Sequence, residues 1–456
     1  MKKICFFLGW VVLMLLSSCS SDDYVDAVPG ESIAVISVDS KALLAQTNKN
    51  DSENLVQQLL GVDALSDIGV DLQSPVYLFE TPDGTLGLCA KVDDDDLLDD
   101  FINQTLVKRG ECPPTSVHKD CNFTILKKSW ILGFSSKSLL LMGPVSDMEQ
   151  SKMQQLMARY LDADEENGIR NSRLFSKLDS IEAPIKLVAR GQSLPEALLT
   201  PLSLGLPKDV DASRLVLAAG ISVQNKVAII DGNTFSFNEN INRAMTDARK
   251  QFRPITPAFV ANVAQTDLGA VFLNMKGKAL LDMIRANKGL QTLLAGINTA
   301  IDMDNILRSI DGDALLLLRE NKKKMALTAK LADTNWLKDV DYWMKSTPSG
   351  SKIERQGNGT FRLIQSSQSP DDAFYFGVSD DKKFWGGTGR DVQQVLQISR
   401  LPVSSQIQNI IKGKRLALML HLNPLKTELG ADMAAMLQRW MNPLLGDINT
   451  IIYIQQ

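Results

Sequence analysis

The chain has 456 residues, more than one hydrophobic core usually holds, so two or more domains are expected. Hydrophobic residues make up 44% and charged residues 22%, which excludes a disordered chain and one embedded mostly in a membrane. The 49 basic residues are outnumbered by 53 acidic ones and form no long basic stretch, so nothing favours a nucleic acid as a partner.

Residues 1–18 are predicted to be a secretion signal. Lys2 and Lys3 precede an apolar run, Ile4–Leu16, which as a helix would reach about 20 Å and fall short of the hydrocarbon core of a bilayer. A positive start, a short apolar stretch and small residues before the end are the features of a cleavable signal.

The end of this signal, Leu16–Cys19, resembles the lipobox of bacterial lipoproteins. The resemblance implies that Cys19 becomes a lipid anchor carrying several acyl chains, such as palmitate, with the membrane as partner. Serine at position 20 resembles outer-membrane sorting, so we expect an outer-membrane lipoprotein of the cell envelope, on either face. Residues 19–27 would form a tether. A plain secretory signal with an incidental cysteine is the alternative.

A hairpin and an acidic helix start are predicted next. Strands 76–80 and 86–92 flank Thr81–Gly84, which carries the proline and glycine of a tight turn. The acidic run that follows lacks the spacing of an EF-hand. We interpret it as the cap and first turn of a helix, where carboxylates oppose the helix dipole, with metal binding as the alternative. Its members are Asp93, Asp94, Asp95 and Asp96.

Three cysteines remain once Cys5 and Cys19 are set aside, namely Cys89, Cys112 and Cys121. In an oxidising compartment one disulfide and one free thiol are expected, and the short loop between Cys112 and Cys121 makes them the favoured pair.

His118 lies between these two cysteines. Zinc binding or a cysteine–histidine catalytic pair is the alternative to a disulfide, but zinc commonly needs four ligands. The same loop, Ser116–Lys119, spells the Ser-x-x-Lys of penicillin-binding enzymes without its partner motifs, and we interpret it as chance.

Later elements follow the same alternation of strands and amphipathic helices. Strands at 122–127, 130–135 and 138–142 have short polar breaks and predict an antiparallel meander. Apolar stripes over Trp336–Met344 and Met433–Leu444 predict helices.

Two further features invite a chemical interpretation. Gly386–Gly389 could cradle an anion, but it lacks the pattern of a P-loop or a dinucleotide fingerprint. We interpret it as a strand-to-helix turn and expect no cofactor. His421 ends an apolar stretch and is interpreted as an ordinary strand-end residue.

Blocks of similar sequence recur in the same order, which indicates an internal duplication. Ile33–Leu44 matches Ala270–Leu281, and both end in Lys-Ala-Leu-Leu. The other matches, offset by 239 to 244 positions, are Pro75–Glu80 with Leu315–Glu320, Leu88–Asp93 with Leu327–Ala332, and Trp130–Ser135 with Phe374–Ser379. A smaller module follows each copy, in which Ile185–Arg190 resembles Arg415–Leu420 and Leu215–Ile221 resembles Ile448–Ile454.

The chain is therefore predicted to have the organisation A–B–A′–B′. The first repeat spans residues 28–256 and the second 257–456, with prolines at the join, Arg253–Pro257. The expected class is α+β, with antiparallel sheets covered by helices.

The lipobox, followed by Val28–Asp39 and Lys41–Leu44, resembles an uncharacterised domain-of-unknown-function family of Bacteroidetes envelope lipoproteins. The resemblance covers nearly all of the chain after the signal. It implies location and architecture, but its motifs are structural and bring no functional residues.

Two functions stay open. A non-enzymatic binding or scaffolding protein with an envelope protein as partner is favoured, because the sequence offers no complete catalytic set and only two histidines. The alternative is an envelope hydrolase whose carboxylates converge only in three dimensions, about 5–10 Å apart.

Overall fold

Helices and largely antiparallel strands are mixed along the chain, which confirms the α+β class. The computed structural model describes residues 22–39, 41–42, 65–194, 210–286, 300–319, 324–357, 359–365, 372–429 and 445–456. Described residues up to Val188 form unit 1, and those from Ala189 onward form unit 2. This division precedes the predicted join at Arg253–Pro257, which stays a prediction about sequence repeats.

Unit 1 is built on a sheet of short strands. They are β1 (Ala34–Val38), β2 (Val76–Glu80), β3 (Leu86–Lys91), β4 (Ser116–His118), β5 (Cys121–Leu126), β6 (Trp130–Phe134), β7 (Ser138–Gly143) and β8 (Ile185–Arg190), whose last two residues lie past the division. Their order is β8-β1-β2-β3-β7-β6-β5-β4, and every pair from β1 to β4 is antiparallel. The predicted hairpin and meander are confirmed as β2–β3 and β5–β7.

The helices of unit 1 cover both faces of this sheet. They are α1 (Asp95–Phe101), α2 (Gln150–Leu161) and α3 (Arg173–Asp179), with 3-10 turns at Asp22–Ala27, Leu65–Ile68 and Ile169–Asn171 and a π-helical turn at Ile102–Leu106. Under α1 lies a cluster that includes Leu98, Ile102 and Phe134. On the other face, a Cβ on Gly133 would lie 2.4 Å from the ring of Phe123 and 3.3 Å from Leu161.

The end of the predicted tether is packed into unit 1. Tyr24–Ala27 is buried, and the hydroxyl of Tyr24 donates to the backbone oxygen of Pro75 at 2.7 Å. Asp26 is 2% exposed, and its carboxylate accepts from Nε of Arg170 at 2.7 Å. Residues 24–27 are therefore fixed to the body of the protein, because aromatic burial and a buried ion pair hold them.

Unit 2 is built on a longer sheet. Its strands are β9 (Val216–Gln224), β10 (Val227–Phe235), β11 (Gly269–Lys276), β12 (Ile310–Leu318), β13 (Met325–Leu331), β14 (Ser351–Gly357), β15 (Thr360–Gln365), β16 (Phe374–Val378), β17 (Lys383–Thr388), β18 (Leu416–His421) and β19 (Thr450–Gln455). The order is β9-β10-β19-β18-β11-β12-β13-β17-β16-β15-β14. Among the described strand pairs of this sheet, β10 and β19 are parallel and the others are antiparallel.

Helices pack on both faces of the unit 2 sheet. Phe384 and Trp385 are neighbours in β17 but belong to different hydrophobic clusters, because successive side chains of a strand point to opposite faces. The helices are α4 (Glu239–Arg249), α5 (Gly277–Ala286), α6 (Met303–Arg308), α7 (Val340–Ser346), α8 (Ser405–Ile411) and α9 (Leu422–Leu429), with 3-10 turns at Gly191–Ser193, Ala212–Arg214, Pro257–Asn262, Asn335–Asp339 and Arg390–Leu396.

The two predicted late helices have different outcomes. The apolar stripe over Trp336–Met344 is helical, but it begins as the 3-10 turn and continues as α7. The stripe over Met433–Leu444 lies outside the described residues.

Candidate functional site

A polar pocket of about 260 Å³ lies at one end of the unit 2 sheet. His421 ends β18 and pairs with Thr450, the first residue of β19. Thr450 also pairs with Val227, the first residue of β10. Strand register therefore brings residues far apart in the chain to one place, which we call the His421 pocket.

Amide side chains belong to half of the residues that line it. They belong to Asn225, Gln265, Gln406, Asn423 and Asn449, and the hydroxyls of Ser404 and Thr450 and the aliphatic Val227 and Ile407 complete the wall with His421.

The ring of His421 is held in one orientation. The residue is 4% exposed, and its Nδ1 lies 2.7 Å from the backbone oxygen of Asp267. A carbonyl oxygen only accepts hydrogen bonds, so Nδ1 carries the hydrogen and donates it. In the neutral ring Nε2 then bears a lone pair, and it is the polar ring atom left for a ligand.

Asp267 supports this arrangement from behind. Its Oδ2 accepts from the backbone N–H of Ala264 at 2.7 Å, which closes the turn that carries Gln265. Burial raises the pKa of the Asp267 carboxyl, because the charged form loses its hydration. The turn that orients His421 therefore contains a buried carboxyl, and its charged form is less favourable there than in water.

Hydrogen bonds also hold other side chains of the pocket wall in place. Nδ2 of Asn225 donates to Oε1 of Gln406 at 3.2 Å, and Nε2 of Gln406 donates to the backbone oxygen of Gln224 at 3.3 Å. The hydroxyl of Thr450 donates to Oδ1 of Asn449 at 3.0 Å. Among the described residues, the Nδ2 group of Asn449 has no hydrogen-bond partner, so it can donate to a ligand.

Charge is almost absent from the pocket wall. Of the described residues that line it, His421 is the one ionisable group. Lys226 and Asp447 lie beside the wall residues in sequence and pair with each other at 2.7 Å. Ser404 shows no sign of a nucleophile, because its Oγ caps α8 by accepting from the N–H of Ile407 at 3.3 Å. The arrangement suits hydrogen bonding to a neutral ligand.

A second pocket in unit 2, of about 220 Å³, has a different character. It lies where β8 ends and β9 begins, and we call it the Arg190 pocket. Its wall includes Arg190, Arg214, Val216 and Phe237. Its lining therefore includes two arginines, whereas the lining of the first pocket includes none.

A family model for a domain of unknown function, DUF4836, matches residues 24–385. The chain belongs to the DUF4836 family. The matched region contains Asn225, Val227 and Gln265 but ends before His421.

Comparisons with individual proteins give no further information on the function of this DUF4836 protein. No curated protein matches it. Crystal form IV of a protein called TP0453 is 11% identical, covering 47% of this chain and 81% of that one at a TM-score of 0.30. Crystal form I is 9% identical, covering 83% and 100% at a TM-score of 0.25. TM-scores this low support no argument about fold or function.

The predicted Cys112–Cys121 disulfide is wrong for this structure, in which both thiols are free. Cys121 shares a strand face with Phe123, on the α2 side of the sheet. Cys112 packs in the cluster under α1, next to Pro113, whose backbone oxygen accepts from Thr124 at 2.7 Å. The two cysteines thus lie on opposite faces, and burial raises the pKa of both thiols.

The acidic run Asp93–Asp96 begins α1, as the cap interpretation predicts. Oδ1 of Asp94 accepts from the N–H of Leu97 at 2.9 Å, which makes Asp94 the N-cap. All four carboxylates are exposed. Within the described ranges, no three or more acidic, cysteine or histidine side chains converge as metal ligands.

The remaining motifs have structural positions. His118 and Ser116 lie on the short strand β4, exposed to solvent. Gly386–Thr388 belongs to β17, so the predicted turn is confined to Gly389, at φ +96°, and leads into a 3-10 turn rather than an α-helix. A Cβ on Gly387 would lie 2.1 Å from the backbone oxygen of Met325, so close strand packing explains that glycine.

Cys19 and the signal, residues 1–18, lie outside the described residues. Within the part of the chain that the structure describes, no helix is long and apolar enough to cross a bilayer.

The sequence interpretation missed the role of His421, because nothing local distinguishes it from an ordinary strand end. Its partners, Asp267 and Val227, lie more than 150 residues away. The nearest local signal was the recurrence of asparagine beside strand ends, at Asn423 and Asn449.

Proposed function

We propose that this protein is a non-enzymatic binding protein of the cell envelope, and that it holds a small uncharged polar ligand in the His421 pocket. One observation carries the proposal: a wall of neutral amides and hydroxyls surrounds a histidine whose Nδ1 is held by the backbone oxygen of Asp267, which leaves Nε2 for a ligand.

Neutrality of the ligand follows from desolvation. A charged group that leaves water needs an opposite charge or several strong hydrogen bonds, whereas a neutral polar group needs one partner for each donor and acceptor. The wall offers such partners in Nε2 of His421 and Nδ2 of Asn449. The hydrolase alternative gains no support here, because no carboxylate lies among the described residues that line the pocket.

The test uses the full-length protein in lipid nanodiscs, with 13C-labelled methyl groups observed by NMR. Val227 and Ile407 line the pocket and act as reporters. N-acetylglycinamide, a neutral probe with donors and acceptors, should shift both signals saturably with a Kd of about 1 mM. Inorganic phosphate should leave them unchanged. Tighter binding of phosphate than of the neutral probe would contradict the proposal.

A pair of matched variants assigns the binding to the pocket. Asn449 is exposed, so the Asn449→Ala variant should fold normally. It should bind N-acetylglycinamide about three- to tenfold more weakly, which is the effect of one hydrogen bond. Asn240 is equally exposed but lies on α4, away from the wall. Asn240→Ala should leave binding unchanged, and equal loss in both variants would count against the pocket.

The membrane location is part of the same proposal. The lipobox-like Leu16–Cys19 supports a lipid anchor at Cys19 on the outer membrane. Mass spectrometry of the N-terminal peptide should find Cys19 as the first residue, carrying acyl chains. Cys19→Ala should abolish this product and move the protein out of the detergent phase on phase separation. An unmodified N-terminal Cys19 would overturn the anchor.

We also propose that the two repeats arose by duplication. Support comes from the strand orders, since β8-β1-β2-β3-β7-β6-β5-β4 in unit 1 has the same form as β18-β11-β12-β13-β17-β16-β15-β14 in unit 2. Gly133 pairs with Leu140, and Gly377 pairs with Trp385, as the sequence match of Trp130–Ser135 requires. Sequence profiles of residues 28–256 and 257–456, built separately from relatives, should align strand by strand in that order; a different order would refute the duplication.

A further inference from the structure

Two large aliphatic side chains are exposed on the segment that leads to the wall of the His421 pocket. Ile398 is 73% exposed and Leu401 is 62% exposed. Both lie on the segment between the 3-10 turn Arg390–Leu396 and α8, and this segment ends at Ser404 on the pocket wall.

Hydrogen bonds fix the backbone of this segment. The N–H of Ser399 donates to the oxygen of Ala261 at 3.0 Å, and the oxygen of Leu401 accepts from the N–H of Gln265 at 3.1 Å. The side chain of Gln265, itself part of the wall, donates to the oxygen of Pro402 at 3.1 Å. A single exposed aliphatic residue is common on protein surfaces. Here two lie on one segment, and hydrogen bonds hold the backbone of that segment against Gln265 of the pocket wall.

We propose that the ligand of the His421 pocket is an uncharged peptide segment with a large apolar side chain. This inference rests on the proposed function. One peptide group of the ligand enters the pocket, and the neighbouring apolar side chain covers Ile398 and Leu401.

A peptide group matches the pocket because it carries one donor and one acceptor. Its N–H can donate to Nε2 of His421, and its carbonyl oxygen can accept from Nδ2 of Asn449. A fully esterified neutral lipid offers acceptors only and would leave Nε2 without a partner. A sugar is disfavoured because no phenylalanine, tyrosine or tryptophan lies among the described residues of the wall.

The experiment compares two blocked peptides on the full-length protein in nanodiscs. Methyl signals of Ile398, Leu401 and Ile407 report on both parts of the site. N-acetyl-Gly-Leu-Gly-amide should shift all three and bind about tenfold more tightly than N-acetyl-Gly-Gly-Gly-amide, which should shift Ile407 alone. The double variant Ile398→Ser, Leu401→Ser should remove this tenfold preference and leave N-acetylglycinamide binding unchanged. Val117→Ser, at a 75% exposed valine of unit 1, should change neither.

The outcomes separate the two proposals. Equal affinity for both peptides would overturn this inference and leave the pocket in place. Monoolein in the nanodisc that displaces the leucine peptide and loses its effect in the double variant would assign a neutral lipid instead. A lack of any shift at Ile407 with N-acetylglycinamide would overturn the proposed function itself.

Discussion

The two pockets of unit 2 lie in comparable places but differ in charge. Each lies where one strand ends and another begins, β18 and β19 in one case and β8 and β9 in the other. The His421 pocket has a neutral wall, whereas the Arg190 pocket presents Arg190 and Arg214. The residues at the strand ends therefore decide what each pocket can bind.

The proposed duplication locates this difference through the sequence matches on which it rests. Ile185–Arg190 matches Arg415–Leu420, which places Gly191 at the position of His421. Leu215–Ile221 matches Ile448–Ile454, which places Val216 at the position of Asn449. The position that matches His421 thus has a glycine, and the position that matches Asn449 has an apolar valine. If the duplication is correct, two residues separate the chemistry of the two pockets.

The largest expected effect concerns stability. His421→Ala should lower the free energy of unfolding by about 2–4 kcal/mol, because it leaves a cavity and removes the hydrogen bond to Asp267. Arg190→Ala should change it by less than about 0.5 kcal/mol, since Arg190 is exposed. Chemical denaturation of both variants measures the difference. Similar losses of stability in the two variants would show that His421 is no more important to the fold than the exposed Arg190.

The next effect is on anion binding. Inorganic phosphate should shift the methyl signals of Val216, next to the two arginines, and not those of Val227 or Ile407. The double variant Arg190→Ala, Arg214→Ala should weaken the binding of phosphate about tenfold. High salt should weaken phosphate binding to the unmodified protein, since exposed charges are screened. Phosphate shifts at Val227 would show that charge does not distinguish the pockets.

The smallest effect depends on pH. Burial raises the pKa of Asp267 above its usual 3.8, so the folded state binds a proton more readily than the unfolded state. Stability contributed by this carboxyl is therefore present at low pH and is lost as the pH rises above that value. Asp267→Asn keeps an oxygen for the N–H of Ala264 and removes the charge, so it should stabilise the protein at pH 7. The gain should vanish near pH 3, and thermal unfolding at the two values checks it. A constant difference would point to packing instead.

Sequence reasoning succeeded where a few adjacent residues decide the structure. Thr81–Gly84 makes the predicted turn, with Gly84 at φ +83°, because only glycine adopts that conformation at little cost. Asp94 caps α1 because its side chain reaches an N–H three residues on.

It failed where distant segments meet. The His421 pocket needs β10 beside β19, a parallel pairing of residues more than 200 positions apart, and no local pattern encodes it. The disulfide prediction failed for a related reason. Strand alternation gives the face of Cys121, but Cys112 lies before β4, and packing under α1 decides its side.

One outermost strand of each sheet, β4 in unit 1 and β14 in unit 2, bears on self-association. An outermost strand offers unpaired backbone groups on which another chain could build, as in fibril growth. β4 has three residues, too few to serve as a template. β14 carries Lys352, Glu354 and Arg355, with Lys352 and Glu354 paired at 2.9 Å, and its register with β15 is irregular near Arg355. A second chain would have to dehydrate these charges along a bent strand, so neither β4 nor β14 favours the pairing of crowded copies.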